Sequence, residues 1–234
     1  MRSPLLPDPL RHALRALRFE LRVALQAARG RRRLRSLNGR TGLRLHLGCG
    51  GELKPGWINL DLDARPLRKA IRKAPAGTLF VPWDLRRGFV PLPDASCEVV
   101  YSSHFFEHLD YEPAVRLMRD CHRLLRPGGL FRAALPTFPA MFRAYLAGDA
   151  SYFEETPLAS VRPEVAPATA TLVDHLNYGL YQYGEHKCVW DEEKLCRVLE
   201  EIGFEAKPSE FRADLDPDNA LRRRYSFYVE GVKR

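Results

Sequence analysis

From residue 43 onward the chain alternates short apolar runs with longer amphipathic stretches. "LRLHL" (43–47), "WINLDL" (57–62), "TLFVPWDL" (78–85), "CEVVYSS" (97–103) and "LFRAAL" (130–135) read as strands. Helices are predicted over "LDARPLRKAIRKA" (62–74) and "YEPAVRLMRDCHRLLRPGG" (111–129), the second with Pro113 near its first turn and a Pro-Gly-Gly stop. A third helix, "DEEKLCRVLEEIGF" (191–204), opens at Asp191 and closes at Gly203, followed by strands "FEAKP" (204–208) and "YSFYVEGVK" (225–233). Strands separated by helices predict an α/β fold, with a largely parallel sheet covered on both faces and ligands at the carboxyl ends of its strands. The last two strands, joined by a non-helical stretch, are expected to be antiparallel.

Two segments depart from this rhythm. Residues 10–28 place Leu10, Leu14, Leu17, Leu21, Ala24, Leu25 and Ala28 at helical spacing among arginines, with Gly30 expected to end the helix and residues 31–42 to form a basic joint. Such a helix either docks on the core or meets an anionic membrane surface or polyanionic partner. Residues 136–190 hold many prolines, the tyrosines Tyr178, Tyr181 and Tyr183, and His175 and His186. An excursion of that length reads as a lid or substrate wall. The expected organisation is an arm over 1–42 and a domain over 43–234 that carries the 136–190 insertion.

Charge sharpens the division. The net charge is +8, but residues 1–42 alone carry eleven Arg against Asp8 and Glu20, leaving the rest of the chain at −1. Any attraction to polyanions therefore resides in the arm, and nucleic acid is not expected as a partner of the body. Five scattered cysteines without a Cys-x-x-Cys pair suggest reduced thiols. With no apolar run near the roughly 18 to 20 residues of a membrane span, a cytoplasmic location is expected, with peripheral contact at the inner membrane face through the arm.

Two motifs carry chemistry. "LHLGCGG" (45–51) is a strand running into glycines, suited to close approach of a ligand. It departs from a dinucleotide fingerprint: Leu53 stands where the third glycine belongs, and Asp61 follows Gly48 by only thirteen residues. "HFFEHLD" (104–110) contains the His-x-x-Glu-His spacing of a zinc peptidase, which would need His104 and His108 on one helix face and a third ligand. The glycine turn, Asp61 and Asp84 commit the scaffold to another use, so no metal is expected.

"LHLGCGGELKPGWINLDLD", "FVPWDLRRGFVPLPDASCEVVYSSHFFEHL" and "RLLRPGGLFRAALP" together resemble the successive motifs of class I S-adenosylmethionine-dependent methyltransferases. The likeness is to the methyltransferase type 11-like bacterial subgroup with a Leu-Gly-x-Gly … Gly-Trp-x-Asn-x-Asp start, often associated with surface-glycan genes. It covers about 43–135 and resumes weakly near the C-terminus. It implies a Rossmann-like, doubly wound, mostly parallel seven-stranded sheet with an antiparallel last strand, and S-adenosylmethionine as cofactor. By the same resemblance Gly48, Cys49 and Gly50 would pass beneath the methionine part. Asp61, with Leu62, would meet the ribose; Asp84 and the backbone of Leu85 the adenine edge; and Ser102 the cofactor from the fourth strand. Carboxylates suit both places, because ribose hydroxyls and the adenine amine are donors.

Methyl transfer from a sulfonium needs proximity, alignment and a dry site, and a hydroxyl acceptor also benefits from a base. His104 is the first candidate base, Glu107 its orienting partner and His186 a second candidate; His104 alternatively only lines the pocket. The tyrosine cluster is either core or a sugar-stacking platform. The expected activity is O-methylation of a sugar, glycan or related hydroxylated acceptor. A non-catalytic cofactor-binding partner protein and an RNA-directed methyltransferase are the alternatives.

Overall fold

The computed structural model describes residues 8–62, 65–153 and 171–234. Its sheet has seven strands: β1 (Leu43–Leu47), β2 (Ile58–Asp61), β3 (Leu79–Pro82), β4 (Cys97–Ser103), β5 (Leu125–Pro136), β6 (Phe204–Ser209) and β7 (Ser226–Lys233). Their order is β3-β2-β1-β4-β5-β7-β6. The first five run parallel, whereas β7 runs antiparallel to both β5 and β6. β1, β2 and β3 carry consecutive buried residues because helices or the arm cover the sheet, which is why they read as continuous apolar runs.

Among the described residues the α-helices are α1 (Asp8–Arg35), α2 (Arg65–Lys73), α3 (Tyr111–Leu124), α4 (Phe138–Leu146), α5 (Leu172–Tyr181), α6 (Glu192–Ile202) and α7 (Ala220–Tyr225). α6 begins as its sequence suggests, with the Asp191 carboxylate accepting from the Lys194 N–H, and it ends at Gly203. α4 and α5 belong to the excursion and share a small apolar cluster of Phe138, Met141, Ala144, Phe153 and Leu176, separate from the main core. Part of that excursion, 154–170, lies outside the described residues.

The connection from β1 to β2 contains no helix. One side chain holds it instead: Asn59 Oδ1 accepts the Lys54 N–H at 2.8 Å, and its Nδ2 reaches the carbonyls of Lys54, Trp57 and Leu79 at 3.0, 3.2 and 3.1 Å. His46 Nδ1 lies 3.3 Å from the same Oδ1. Lys54 Nζ donates to the Leu215 carbonyl and sits 4.7 Å from the Tyr101 ring centroid. Burial, and then the Lys54 charge, pulls the His46 imidazole down to about 3 from its ordinary 6.5. At the other end of the sheet, buried Arg132 pairs with Asp216 and Glu230 and fixes the segment that leads into α7.

α1 corrects two expectations. It does not stop at Gly30 but continues to Arg35, and the face that docks is not the leucine stripe. Val23, Ala27, Gly30, Leu34 and Leu37 are buried, while Leu10, Leu17, Leu21 and Leu25 are 45 to 68% exposed. Gly30 permits the docking, because a Cβ there would stand 2.0 Å from the Pro82 carbonyl oxygen. Arg33 Nη1 donates to the Phe80 carbonyl at 2.7 Å, and Arg86 bridges to Glu20 at 3.2 Å. No helix among the described residues is long and apolar enough to cross a membrane.

Two measurements test these contacts. In an exposed helix Gly→Ala stabilises by about 1 kcal/mol; here Gly30→Ala is expected to destabilise by roughly 1–3 kcal/mol, because the helix must lift from β3. A stabilised variant in urea titrations would contradict the docking. For His46 the folded pKa lies below the unfolded one, so the unfolded chain binds the extra proton between those values. Its stabilisation is complete above about pH 6.5 and is lost toward about pH 3, at up to about 1.4 kcal/mol per pH unit. His46→Gln should flatten the fall in stability across that window; an unchanged slope would refute the assignment.

Candidate active site

The carboxyl ends of β1, β2 and β4 converge on one place. Gly48 ends β1 with φ of 61°, and a Cβ on it would lie 2.2 Å from the Phe105 ring, so both conformation and space require glycine. Beyond it the Gly50 N–H donates to Asp61 Oδ2 at 2.8 Å and the Leu62 N–H to Asp61 Oδ1 at 2.6 Å. These bonds fix the carboxylate while leaving each oxygen a further lone pair for a hydroxyl donor. Burial raises the Asp61 pKa, and the two amides oppose the rise. A Cβ at Gly50 would meet nothing within 4 Å, so the turn is open on that side. Cys49 is buried against Leu67 and Phe80, and burial pushes its thiol far up; it offers backbone rather than a reactive sulfur. A ribose and an extended methionine chain suit this combination of an open Gly50 and an immobilised carboxylate.

Asp84 follows the end of β3 and caps the 3-10 turn Leu85–Arg87. It accepts the Arg86 N–H at 3.1 Å and two guanidinium N–H groups at 2.8 and 3.0 Å. The cap, which resemblance alone does not indicate, ties this corner to α1 through Arg86 and Glu20. The Leu85 side chain belongs to the main core. Ser102, buried in β4, has a hydroxyl without a hydrogen-bond partner among the described residues.

"HFFEHLD" does not form the peptidase-type helix. His104 leaves β4 in the left-handed region, with φ of 50°, and Phe106–His108 form a 3-10 turn. For a non-glycine residue that conformation costs about 1–3 kcal/mol and persists only where surrounding contacts impose it. Here the His104 N–H donates to the Ala134 carbonyl at 2.8 Å, and its Nε2 lies 2.7 Å from Ser226 Oγ. Burial and then the Arg222 charge hold the imidazole well below its ordinary pKa, so it is neutral at rest.

Glu107 is buried and neither carboxyl oxygen has a hydrogen-bond partner among the described residues. Burial pushes its pKa up to about 8. Its Oε1 lies 3.6 Å from His104 Nδ1 and 4.0 Å from His108 Nε2. The Glu107 carbonyl accepts the Lys187 and Cys188 N–H groups at 2.7 and 3.2 Å, which draws His186 alongside. The His108 and His186 rings meet edge to face at 4.9 Å, and burial pulls His186 down to about 4. The three residues expected to carry catalysis, His104, Glu107 and His186, are thus gathered from positions up to 82 apart.

His104 and His186 line a cavity of about 230 Å³ with Thr137, Tyr178, Asn219 and Arg222. It is smaller than the roughly 300–1,000 Å³ of drug-sized sites, suiting a small unit or a terminal group. Tyr178 lines it, whereas Tyr181 and Tyr183 are exposed, so the cluster is not core. Sequence reasoning missed Asn59, Phe105 and Arg222. The first was visible in the Gly-Trp-x-Asn-x-Asp motif and the second sits inside "HFFEHLD"; Arg222, whose Nη1 donates to Ser103 Oγ at 3.0 Å, carries no local signal.

The family model described as "Methyltransferase domain" matches residues 45–133. No curated protein matches the chain. Among solved structures, an S-adenosylmethionine-dependent methyltransferase from Archaeoglobus fulgidus is 19% identical, with 91% of this chain and 94% of that chain covered and a TM-score of 0.53. Another, from Mesorhizobium loti, is 20% identical over 86% of this chain and 95% of that one, with a TM-score of 0.48. At 19% identity the Archaeoglobus likeness speaks for the fold. Residues 45–133 thus match the family model of a methyltransferase domain, and the chain shares the fold of the Archaeoglobus fulgidus structure.

Proposed function

We propose that the chain is an S-adenosylmethionine-dependent methyltransferase that acts on a hydroxyl of a sugar, glycan or similarly hydroxylated acceptor. The observation that carries this reading is the cavity beyond His104. Thr137, Tyr178, Gln182 and Asn219 offer it uncharged donors and acceptors, and its one arginine, Arg222, already donates to Ser103. That lining matches hydroxyl groups better than a cationic amine. The cavity adjoins the cofactor turn through neighbours in sequence: His104 lines it, while Phe105 covers Gly48.

In this reading Gly48, Cys49 and Gly50 run beneath the methionine part, Asp61 and Leu62 hold the ribose, and Asp84 and Leu85 bracket the adenine, with Ser102 below. When bound, S-adenosylmethionine supplies an electrophilic methyl group on a positively charged sulfur. His104, neutral at rest, takes the proton that the acceptor hydroxyl gives up on gaining the methyl group, and Glu107 orients the imidazole. His186 lies on the same wall.

The arm supports a membrane-facing substrate. The exposed leucines of α1 and an adjoining cleft of about 700 Å³ lined by Arg29, Arg32, Arg33, Arg68 and Arg72 suit an anionic lipid surface.

Methyl-labelled cofactor offered with glycans, free or lipid-linked in vesicles, tests both parts. Base-stable methyl ethers are expected, formed faster on anionic than on neutral vesicles, with that advantage lost in the Leu21→Glu, Leu25→Glu variant. His104→Ala should slow turnover about 10²–10⁴-fold while S-adenosylhomocysteine binding is retained. Label found only on nitrogen or carboxylates would reject the acceptor class, and equal rates on both vesicles would reject the membrane role.

A further inference from the structure

We infer that Glu107, His108 and His186 form a binding site for one divalent first-row transition-metal ion, placed to hold the acceptor hydroxyl. The site stands on geometry alone; only its use rests on the methyl-transfer reading above. The sequence motif suggests His104 and His108 as a ligand pair, but the fold reassigns it: His104 stands outside the group, and His186 comes in from the excursion. Glu107, His108 and His186 each offer one ligand atom, and these atoms lie within 4.8 Å of one another. Ligands about 2.1 Å from a tetrahedral ion stand about 3.4 Å apart, so side-chain movements of about an ångström close the site.

Both imidazoles are already in the ligating tautomer. His108 Nδ1 lies 3.2 Å from the Glu185 carbonyl oxygen, and His186 Nδ1 lies 2.8 Å from that of Gly179. A carbonyl oxygen only accepts, so each Nδ1 carries the hydrogen and each Nε2 presents a bare lone pair. Metal-bound histidines are oriented by such outer hydrogen bonds. The third ligand is the independent sign: a fully buried carboxyl group with neither oxygen hydrogen-bonded among the described residues. Buried polar groups are rarely left without a partner, and a dication would supply one. The Glu107 carbonyl, holding the Lys187 and Cys188 amides, keeps His186 beside the carboxyl group before any ion arrives.

The donor set fixes the class of ion. Two imidazoles and one carboxylate suit zinc, manganese, cobalt or iron, whereas calcium and magnesium take oxygen shells. Three protein ligands leave a position open, as in catalytic rather than structural sites. His186 also lines the acceptor cavity, so the open position serves a hydroxyl bound there. Coordination acidifies that hydroxyl. Its proton passes to His104, its oxygen forms the bond to the methyl carbon, and the electron pair of the broken carbon–sulfur bond stays on sulfur.

The full chain, stripped with a chelator and titrated with Co²⁺ by calorimetry and visible absorption, tests the site. One equivalent should bind with the absorption of an imidazole-ligated ion, and Mg²⁺ should not replace it. Glu107→Gln and His186→Ala should each weaken binding at least tenfold, with S-adenosylhomocysteine binding retained as the sign of a folded domain. His175→Ala, on the same wall but outside the triad, should bind as the wild type does. No stoichiometric Co²⁺, or binding unchanged in His186→Ala, overturns the proposal; because His186 is only partly buried, that variant decides even if Glu107→Gln fails to fold. Stoichiometric binding in a protein that methylates no hydroxyl upholds the site and removes only the acceptor reading, whereas full turnover in chelator with no bound ion upholds the acceptor reading and overturns the ion's role in holding the hydroxyl.

Discussion

The rest of the site depends on one contact, the Phe105 ring lying on the bare backbone of Gly48. Gly48 belongs to the turn proposed to hold the cofactor, and Phe105 stands between the strained His104 and the buried Glu107. Because the ring occupies the space of a missing Cβ, the turn after β1 and the exit of β4 cannot shift independently. Parallel pairing of β1 with β4 sets their distance, with Leu47 opposite Ser102, and the ring fills what remains. The glycine turn and the cavity lined by His104 are therefore two sides of one packed layer.

Around that layer the polar groups divide by function. Asn59 satisfies the backbone of the first crossover, and Asp84 caps a turn; both are bonded within the protein. The Ser102 hydroxyl and the Glu107 carboxyl have no such bonds among the described residues. Other buried polar atoms without a partner among the described residues, such as the Tyr101 hydroxyl and the Trp190 indole N–H, lie in the core, so an orphan alone does not mark a ligand site. The coincidence of Ser102 and Glu107 with the left-handed His104 marks the functional face more sharply than any single motif.

Much of this was legible in the residues. Strand positions followed from apolar runs and the antiparallel end of the sheet was expected, although the link before β7, read as non-helical, carries the short helix α7. The place of Asp61 came from the resemblance, and the glycine bonded to it is Gly50. Helix α1 was read on the wrong face. Its leucines form the most regular stripe, yet Gly30, Val23 and Ala27 dock because small residues let the backbone approach Pro82. Periodicity reports which face is apolar, not which face finds a complementary surface. His108 and His186 could not be paired from sequence, since their contact depends on the Glu107 carbonyl capturing two amides 80 and 81 residues away. "HFFEHLD" was expected at the exit of the fourth strand, but the left-handed His104 and the 3-10 turn after it carried no signal in the residues.

The central claim is that the turn under Phe105 is the cofactor cradle, and a double-mutant cycle read by S-adenosylhomocysteine calorimetry tests it most directly. Gly48→Ala should weaken binding at least tenfold, about 1.4 kcal/mol or more. Removing the ring as well, in Gly48→Ala, Phe105→Ala, should recover part of that loss, leaving the strain of a left-handed alanine. A Gly48→Ala protein that binds S-adenosylhomocysteine as tightly as the wild type would contradict the account.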